Sequence, residues 1–237
     1  MPRNITRRIT SVRKKPVGLI VVLSAPSGAG KTTIANEVLH DVPNVVRMIT
    51  ATSRPKRPGE VHGQDYFFYT KKYFENLIKQ NYFIEWANVH DHYYGTPRKL
   101  LEKEVASGRI VLLVIDVQGA ENIKKLYPDS VLVFILPPSI KELRARLKKR
   151  NTETKETLTV RIRSAMIEYG FVHDYDYAVI NDVVNTAVNK VKGILKSSLL
   201  LIIWEYIPEF LSGIVVVWPA TKNPLIDKLR SVGPGDR

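Results

Sequence analysis

The run Ser24-Ala25-Pro26-Ser27-Gly28-Ala29-Gly30-Lys31-Thr32-Thr33 combines small residues, a lysine and two hydroxyls at the spacing of a phosphate-binding loop. Small residues let successive backbone N–H groups close around phosphate oxygens, and the start of a following helix favours negative charge. Lys31 can reach the outer phosphates and Thr32 can offer its hydroxyl to a magnesium ion. Such a loop needs a strand before it and a helix after it. Val17 to Leu23 is short, apolar and rich in Val and Ile, as a buried strand is, and Ile34, Val38 and Leu39 follow with helical spacing. The loop therefore reads as a grip on a nucleoside triphosphate. Ala25 stands where the first glycine of such loops is usual, which is tolerable unless the backbone there needs a positive φ. A glycine-rich turn without a ligand is the duller alternative, and the lysine, the hydroxyl and the flanking strand together oppose it.

The elements that must position this loop follow along the chain. Val45 to Ile49 reads as a strand, Thr50 to Gly63 as a polar, turn-rich loop, and Tyr66 to Tyr69 as a strand. Lys71 to Gln80 reads as a helix, Phe83 to Val89 as a strand, and Pro97 to Ala106 as a helix with proline in its first turn. Arg109 to Ile115 is an apolar strand ending in Asp116, which puts a carboxylate at the carboxyl end of a buried strand, where open α/β sheets bind ligands. Beyond it come a helix over Ala120 to Leu126, a strand over Ser130 to Leu136, and a basic helix from Ser139 to Arg150 with serine as its cap. A helix over Glu156 to Tyr169, a strand over Tyr177 to Ile180 and a closing helix over Val183 to Lys196 complete the series. Strands alternating with helices imply an α/β fold with a parallel, doubly wound sheet.

With 237 residues and 44% apolar content, the chain can bury one substantial core with inserted subdomains. It has no cysteine, which excludes disulfides, thiolate metal sites and cysteine nucleophiles. The net charge of +13 invites a nucleic-acid partner, yet six of the basic residues lie in the first sixteen, which hold no acid. Much of the excess thus belongs to a solvated arm. A transit-like segment is the sharper reading of that arm, with Ile5, Ile9 and Val12 at helical spacing, and it would send the protein to an organelle instead of the expected cytoplasm. At the other end, Leu199 to Trp218 is nearly long enough to span a bilayer, but Glu205 and Glu209 lie near its middle and Pro208 breaks it. Two short apolar elements meeting at Pro208 are expected, with no membrane contact and no nucleic-acid partner.

A phosphate loop alone leaves ATPases, GTPases, kinases and motor domains open. Thr52-Ser53-Arg54-Pro55-Lys56-Arg57-Pro58-Gly59-Glu60-Val61-His62-Gly63-Gln64-Asp65-Tyr66-Phe67-Phe68 narrows the choice, together with Phe83-Ile84-Glu85-Trp86-Ala87 and Tyr93-Tyr94-Gly95-Thr96. With Ile115-Asp116-Val117-Gln118-Gly119 and Tyr175 to Asp182, the chain closely resembles the guanylate kinases from about Val17 to Lys196. The resemblance implies a P-loop nucleoside monophosphate kinase fold: a core over 17–50 and 98–197, a GMP-binding insertion over 51–97, and a lid at about 146–161. Residues 1–16 and 198–237 have no counterpart in it.

The residues support the same assignment on physical grounds. Arg54 and Arg57, on a proline-stiffened loop, make a fork for a dianionic phosphate, with phenolic donors at Tyr66 and Tyr94. Guanine presents N1–H and its 2-amino group as neighbouring donors, and Glu85 is the carboxylate to receive them. The resemblance adds Thr50 and Thr96 on the guanine edge, and Asp116 between the base and the magnesium shell, its contact with the metal passing through water. It also implies Asn181 among the ATP-side residues with Ala25 to Thr33. Arg146, Arg150 and Arg161 flank the lid and, with Lys31, would stabilise the transferring phosphoryl group. Val114 stands where the family often carries a second acid, and Asn151 replaces a lid glycine. The implied reaction is transfer from ATP to GMP, and more weakly to dGMP, with Mg²⁺ as cofactor. A silent guanylate-kinase-like interaction module is the alternative and predicts erosion of the loop and lid. A GTPase lacks support, since Asn189-Lys190 is followed by Val191-Lys192 and not by the guanine motif of that class.

Overall fold

Alternation along one strand organises the core. The computed structural model describes residues 18–89, 91–149 and 155–205, and in it β1 (Leu19–Ser24) is buried along its whole length. Leu19, Val21 and Leu23 face one layer with Ile34, Ala35 and Val38 of α1 (Lys31–Asp41). Ile20 and Val22 face the opposite layer. Successive side chains of a strand point to opposite sides, so a continuous apolar run must be covered twice. The covering helices are α1 and α7 (Val184–Glu205) on one face. On the other lie α3 (Arg98–Ala106), through Leu101, and α4 (Val117–Leu126), through Ala120 and Ile123.

The central sheet has five strands in the order β2-β7-β1-β8-β9, with β2 Val45–Arg47, β7 Ile110–Val114, β8 Val131–Leu136 and β9 Tyr177–Ile180. Every pairing in it is parallel. Neighbouring β1 and β7 send their following loops to opposite faces, β1 into α1 and β7 into α4. A crevice at the carboxyl ends of two such strands is the ligand site of this architecture.

A second sheet, ordered β4-β3-β6-β5, is built from β3 (Ala51–Thr52), β4 (Phe67–Phe68), β5 (Phe83–Val89) and β6 (His92–Pro97). It has its own small core: Phe74 and Leu77 of α2 (Lys71–Lys79) pack on Ala51 and Phe83, with the Phe74 and Phe83 rings stacked at 4.3 Å. Each such fully buried aromatic is worth roughly 2–3 kcal/mol of burial. Ile84 of β5 reaches into the layer under α4 and joins the two sheets.

Most elements fall where the sequence places them, and β5 and β9 agree residue for residue with the expectation. Three differ. The sequence reading assigns no strand at His92–Pro97 and starts a helix at Pro97, yet β6 pairs antiparallel with β5 there. Gly95 is accommodated because a Cβ at that position would lie 3.0 Å from the Phe83 ring, and Pro97 ends the strand as the residue before α3. The short β3 sits inside the stretch read as loop. Finally, α7 continues past Lys196 to Glu205. The basic arm, Arg150, Asn151 and the expected break at Pro208 lie outside the described residues. Among those residues no helix is long and apolar enough to cross a membrane.

Candidate active site

The phosphate loop closes on itself and onto the core. The Ala29 amide donates to the Pro26 carbonyl at 3.1 Å, and the Ala29 side chain is fully buried. Gly28 and Gly30 adopt φ of 90° and 95°, the left-handed region open to glycine. At Gly30 a Cβ would sit 2.3 Å from the Asn181 amide nitrogen, which itself donates to the Ala29 carbonyl. Ala25 needs no such conformation: it is not among the positive-φ residues and its methyl packs in the core.

Lys31 crosses the crevice between β1 and β7. Its Nζ donates to the Ile115 carbonyl at 3.2 Å and to the Ala25 carbonyl at 3.5 Å. Burial lowers its pKa, while the negative charges of Glu168 and Asp116 act in the opposite direction. Asp116 is the N-cap of α4, its Oδ1 accepting from the amides of Gln118 at 2.8 Å and Gly119 at 3.1 Å. The two cap bonds use one carboxylate oxygen and leave Oδ2 for the cleft.

At the far end of the same cleft stands Glu85, 5% exposed. The Thr96 hydroxyl donates to its Oε1 at 2.5 Å. Burial, with the charge of Asp116 adding to it, raises its pKa to about 7 against the opposing Thr96 bond. Gly119 makes room for the other oxygen, since a Cβ there would lie 2.9 Å from Oε2. Tyr66 and Tyr94 meet edge to face at 6.1 Å on the wall between the two ends.

The cleft thus brings together Ala25 to Gly28, Gly30 to Thr33, Thr50, Arg57, Tyr66, Glu85, Tyr94, Asp116 and Arg161 of the residues expected from sequence. Arg161 projects from α6 (Lys155–Tyr169) and donates to the Ser27 hydroxyl at 3.1 Å. Five expected residues stand elsewhere. Ala29 and Asn181 support the loop from beneath, and Thr96 is buried behind Glu85. Arg146, on α5 (Ile140–Lys149), pairs with Glu142 at 2.8 Å and donates to the Asn181 carbonyl at 3.1 Å. Arg54 is turned onto Glu60, with contacts of 2.7 and 2.9 Å.

Glu168 was not among the expected site residues, yet it lines the cleft near Lys31 and Asp116, and burial raises its pKa to about 7. The signal in the sequence was its spacing: seven residues after Arg161 is about two helical turns, so both lie on one face of α6. Among the described residues no cluster of three or more His, Cys, Asp or Glu side chains is placed to hold a metal.

A family profile described as guanylate kinase matches residues 18–198. The chain belongs to the guanylate kinase family. A guanylate kinase of Caldanaerobacter subterraneus subsp. tengcongensis is 45% identical over 185 residues, covering 78% of this chain and 89% of that protein. One from Thermotoga maritima is 44% identical over 180 residues, covering 76% and 87%. Among solved structures, the guanylate kinase of Anaplasma phagocytophilum superposes with a TM-score of 0.67 at 35% identity, over 78% of this chain and 88% of that one. The fold is accordingly that of a P-loop nucleoside monophosphate kinase. The guanylate kinase match spans both sheets and ends at the third-last turn of α7, so the last residues of that helix extend beyond it.

Proposed function

We propose that this cleft transfers the γ-phosphoryl group of ATP to GMP, giving ADP and GDP, with the donor on the phosphate loop and the acceptor base against Glu85. The observation that carries the reading is the buried Glu85 carboxylate, held at one oxygen by Thr96 and given space at the other by Gly119. Guanine N1–H and the 2-amino group would donate to it, and adenine offers neither donor in that arrangement. A site built to accept two hydrogen bonds rejects a base that cannot supply them, because its buried acceptors are left unpaired.

In this reading the backbone of Ala25 to Thr33 and the Lys31 ammonium hold the donor phosphates, and Arg161 lies beside them over Ser27. Arg57, Arg54, Tyr66 and Tyr94 hold the acceptor phosphate, and Thr50 adds a hydroxyl near the base. Holding both reactants in line removes much of the entropic cost of a two-substrate reaction, and no covalent intermediate is needed. Arg146 and Arg150 are assigned to the closing lid, where their charge would meet the transferring group. For Arg146 this requires release from Glu142.

Magnesium fits the donor set: the Thr32 hydroxyl is a hard oxygen ligand and the Asp116 carboxylate would reach the ion through water, few enough groups that phosphates and water would complete the shell. Bound there, the ion would neutralise charge on the donor phosphates. The silent-module reading predicts loss of the charged groups of the loop. Lys31, Thr32 and Arg161 all stand in the cleft, which favours an enzyme. A screen with ATP as donor tests the assignment: ADP release is expected with GMP, less with dGMP, and least with AMP, CMP or UMP. A faster reaction with AMP or a pyrimidine nucleotide would overturn it.

A further inference from the structure

Arg54 is buried, and its guanidinium is bound from outside the cleft. Nη1 donates to Glu60 Oε2 at 2.9 Å and to the Pro55 carbonyl at 2.7 Å, while Nη2 donates to Glu60 Oε1 at 2.7 Å. The Tyr66 and Phe68 rings lie 5.4 and 5.6 Å from the guanidinium carbon. A guanidinium has five N–H groups in a fixed plane. Three are taken, including both of Nη1, so the two that remain are Nε–H and the outer N–H of Nη2, along one edge. Tyr66, one of those rings, meets Tyr94 of the cleft lining edge to face at 6.1 Å.

Glu60 is equally fixed. Its Oε2 also accepts from the Arg57 amide at 2.8 Å, and its own amide donates to the Arg57 carbonyl at 3.1 Å. The carboxylate is therefore part of the turn that carries Arg57, and one oxygen serves both arginine positions. An acid beside a phosphate site weakens the pull on an anion, so its place there calls for a geometric return.

We propose that Glu60 is a positioning residue of the acceptor-phosphate site: it grips Arg54 by the outer edge, leaving the Nε–Nη2 edge for the phosphate, and fixes the turn that presents Arg57. The rival is that Glu60 occupies the phosphate's place and must be expelled. Its bonds to the Arg57 main chain speak against that, because they tie the carboxylate to its own turn. The inference rests on the acceptor site described above, and it and the rival predict opposite signs for the same variant.

The test measures GMP and guanosine binding by calorimetry, with steady-state kinetics, for wild type, Glu60→Gln, Arg54→Ala and the double variant. Glu60→Gln is expected to weaken GMP about tenfold, leave guanosine within about twofold, and leave the KM for ATP unchanged, since the loss falls on charge-assisted bonds to the phosphate alone. In the Arg54→Ala background the same change should add less than about twofold, because Glu60 acts through Arg54. Glu60→Asp, which keeps the charge but shortens the reach, should fall between wild type and Glu60→Gln and covers the case of a poorly folded amide variant. Tighter GMP binding in Glu60→Gln, equal loss of GMP and guanosine, or full additivity with Arg54→Ala would each overturn the inference. A wild-type protein that binds GMP no better than guanosine would instead defeat the acceptor-site reading itself.

Discussion

Guanine binding should be lost as the pH falls through 7. Glu85 is almost wholly buried, and that burial raises its pKa from the ordinary 4.5 to about 7. A base that donates two hydrogens needs a carboxylate with both oxygens accepting, so it binds the ionised form alone. With a pKa of about 7 that form makes up about nine-tenths of the empty protein at pH 8 and about one-tenth at pH 6, and affinity should fall about tenfold, or about 1.4 kcal/mol. Guanosine is the ligand to use, because a phosphate monoester itself titrates near pH 6. Calorimetric titration at pH 6, 7 and 8 reads the effect, and Glu85→Gln in parallel should bind weakly and with a flat profile. The same shift has a signature in stability. A carboxyl whose folded pKa is raised stabilises the fold below its ordinary pKa, and that contribution is lost as the pH rises through about 7. The displacement corresponds to about 3 kcal/mol above pH 7. Glu85→Gln cannot ionise, and its amide oxygen can still accept from Thr96. It should therefore melt higher than wild type at pH 8 and no higher at pH 5. A pH-independent guanosine affinity in wild type, or a variant that is less stable at both pH values, would refute this reasoning.

Two further outcomes follow from the cleft. Lys31→Ala should lower kcat by about 10²–10³-fold, the scale of losing one preorganised electrostatic group, while its melting temperature holds, because Lys31 is a desolvated cation bonded only to carbonyls. Near-normal turnover in the folded variant would return the interaction-module reading to first place. Gly119→Ala should weaken GMP by about tenfold, the scale of one disturbed charge-assisted bond, and leave ATP unaffected, since the added Cβ would sit 2.9 Å from Glu85 Oε2 and push the carboxylate off its Thr96 bond. Alanine is a better helix former than glycine, so a loss of stability instead of GMP affinity would count against the argument.

What the sequence revealed and what it hid divide along a physical line. Strand and helix periods, the phosphate loop and the Glu85 position are local or motif-borne, and they were legible. Contacts closed by the fold were not. Nothing in the spacing of Arg54 and Glu60 says that a carboxylate six residues away takes two of the arginine's donors. Asn181, grouped with the ATP residues by resemblance, fills the space that Gly30 leaves and braces the loop from behind, a contact no spacing announces. Spacing puts Glu168 on the Arg161 face of a helix, but that this face lies over the loop is decided only by tertiary packing.

The first turn of α4 explains how the two ends of the cleft stay in register. Asp116, which acts on the charge of Lys31, caps that turn by accepting from the Gln118 and Gly119 amides. Gly119, in the same turn, sits directly against Glu85 from the other sheet. One helix start therefore touches the phosphate end and the base end together, and Ile84 of β5 packs in the layer beneath it. Burial raises the proton affinity of Glu85, and the Asp116 carboxylate across the turn adds to it. Because the helix backbone is rigid on the scale of a side chain, the distance between donor and acceptor ends is set by α4. That is the arrangement an in-line transfer between two separately bound nucleotides requires.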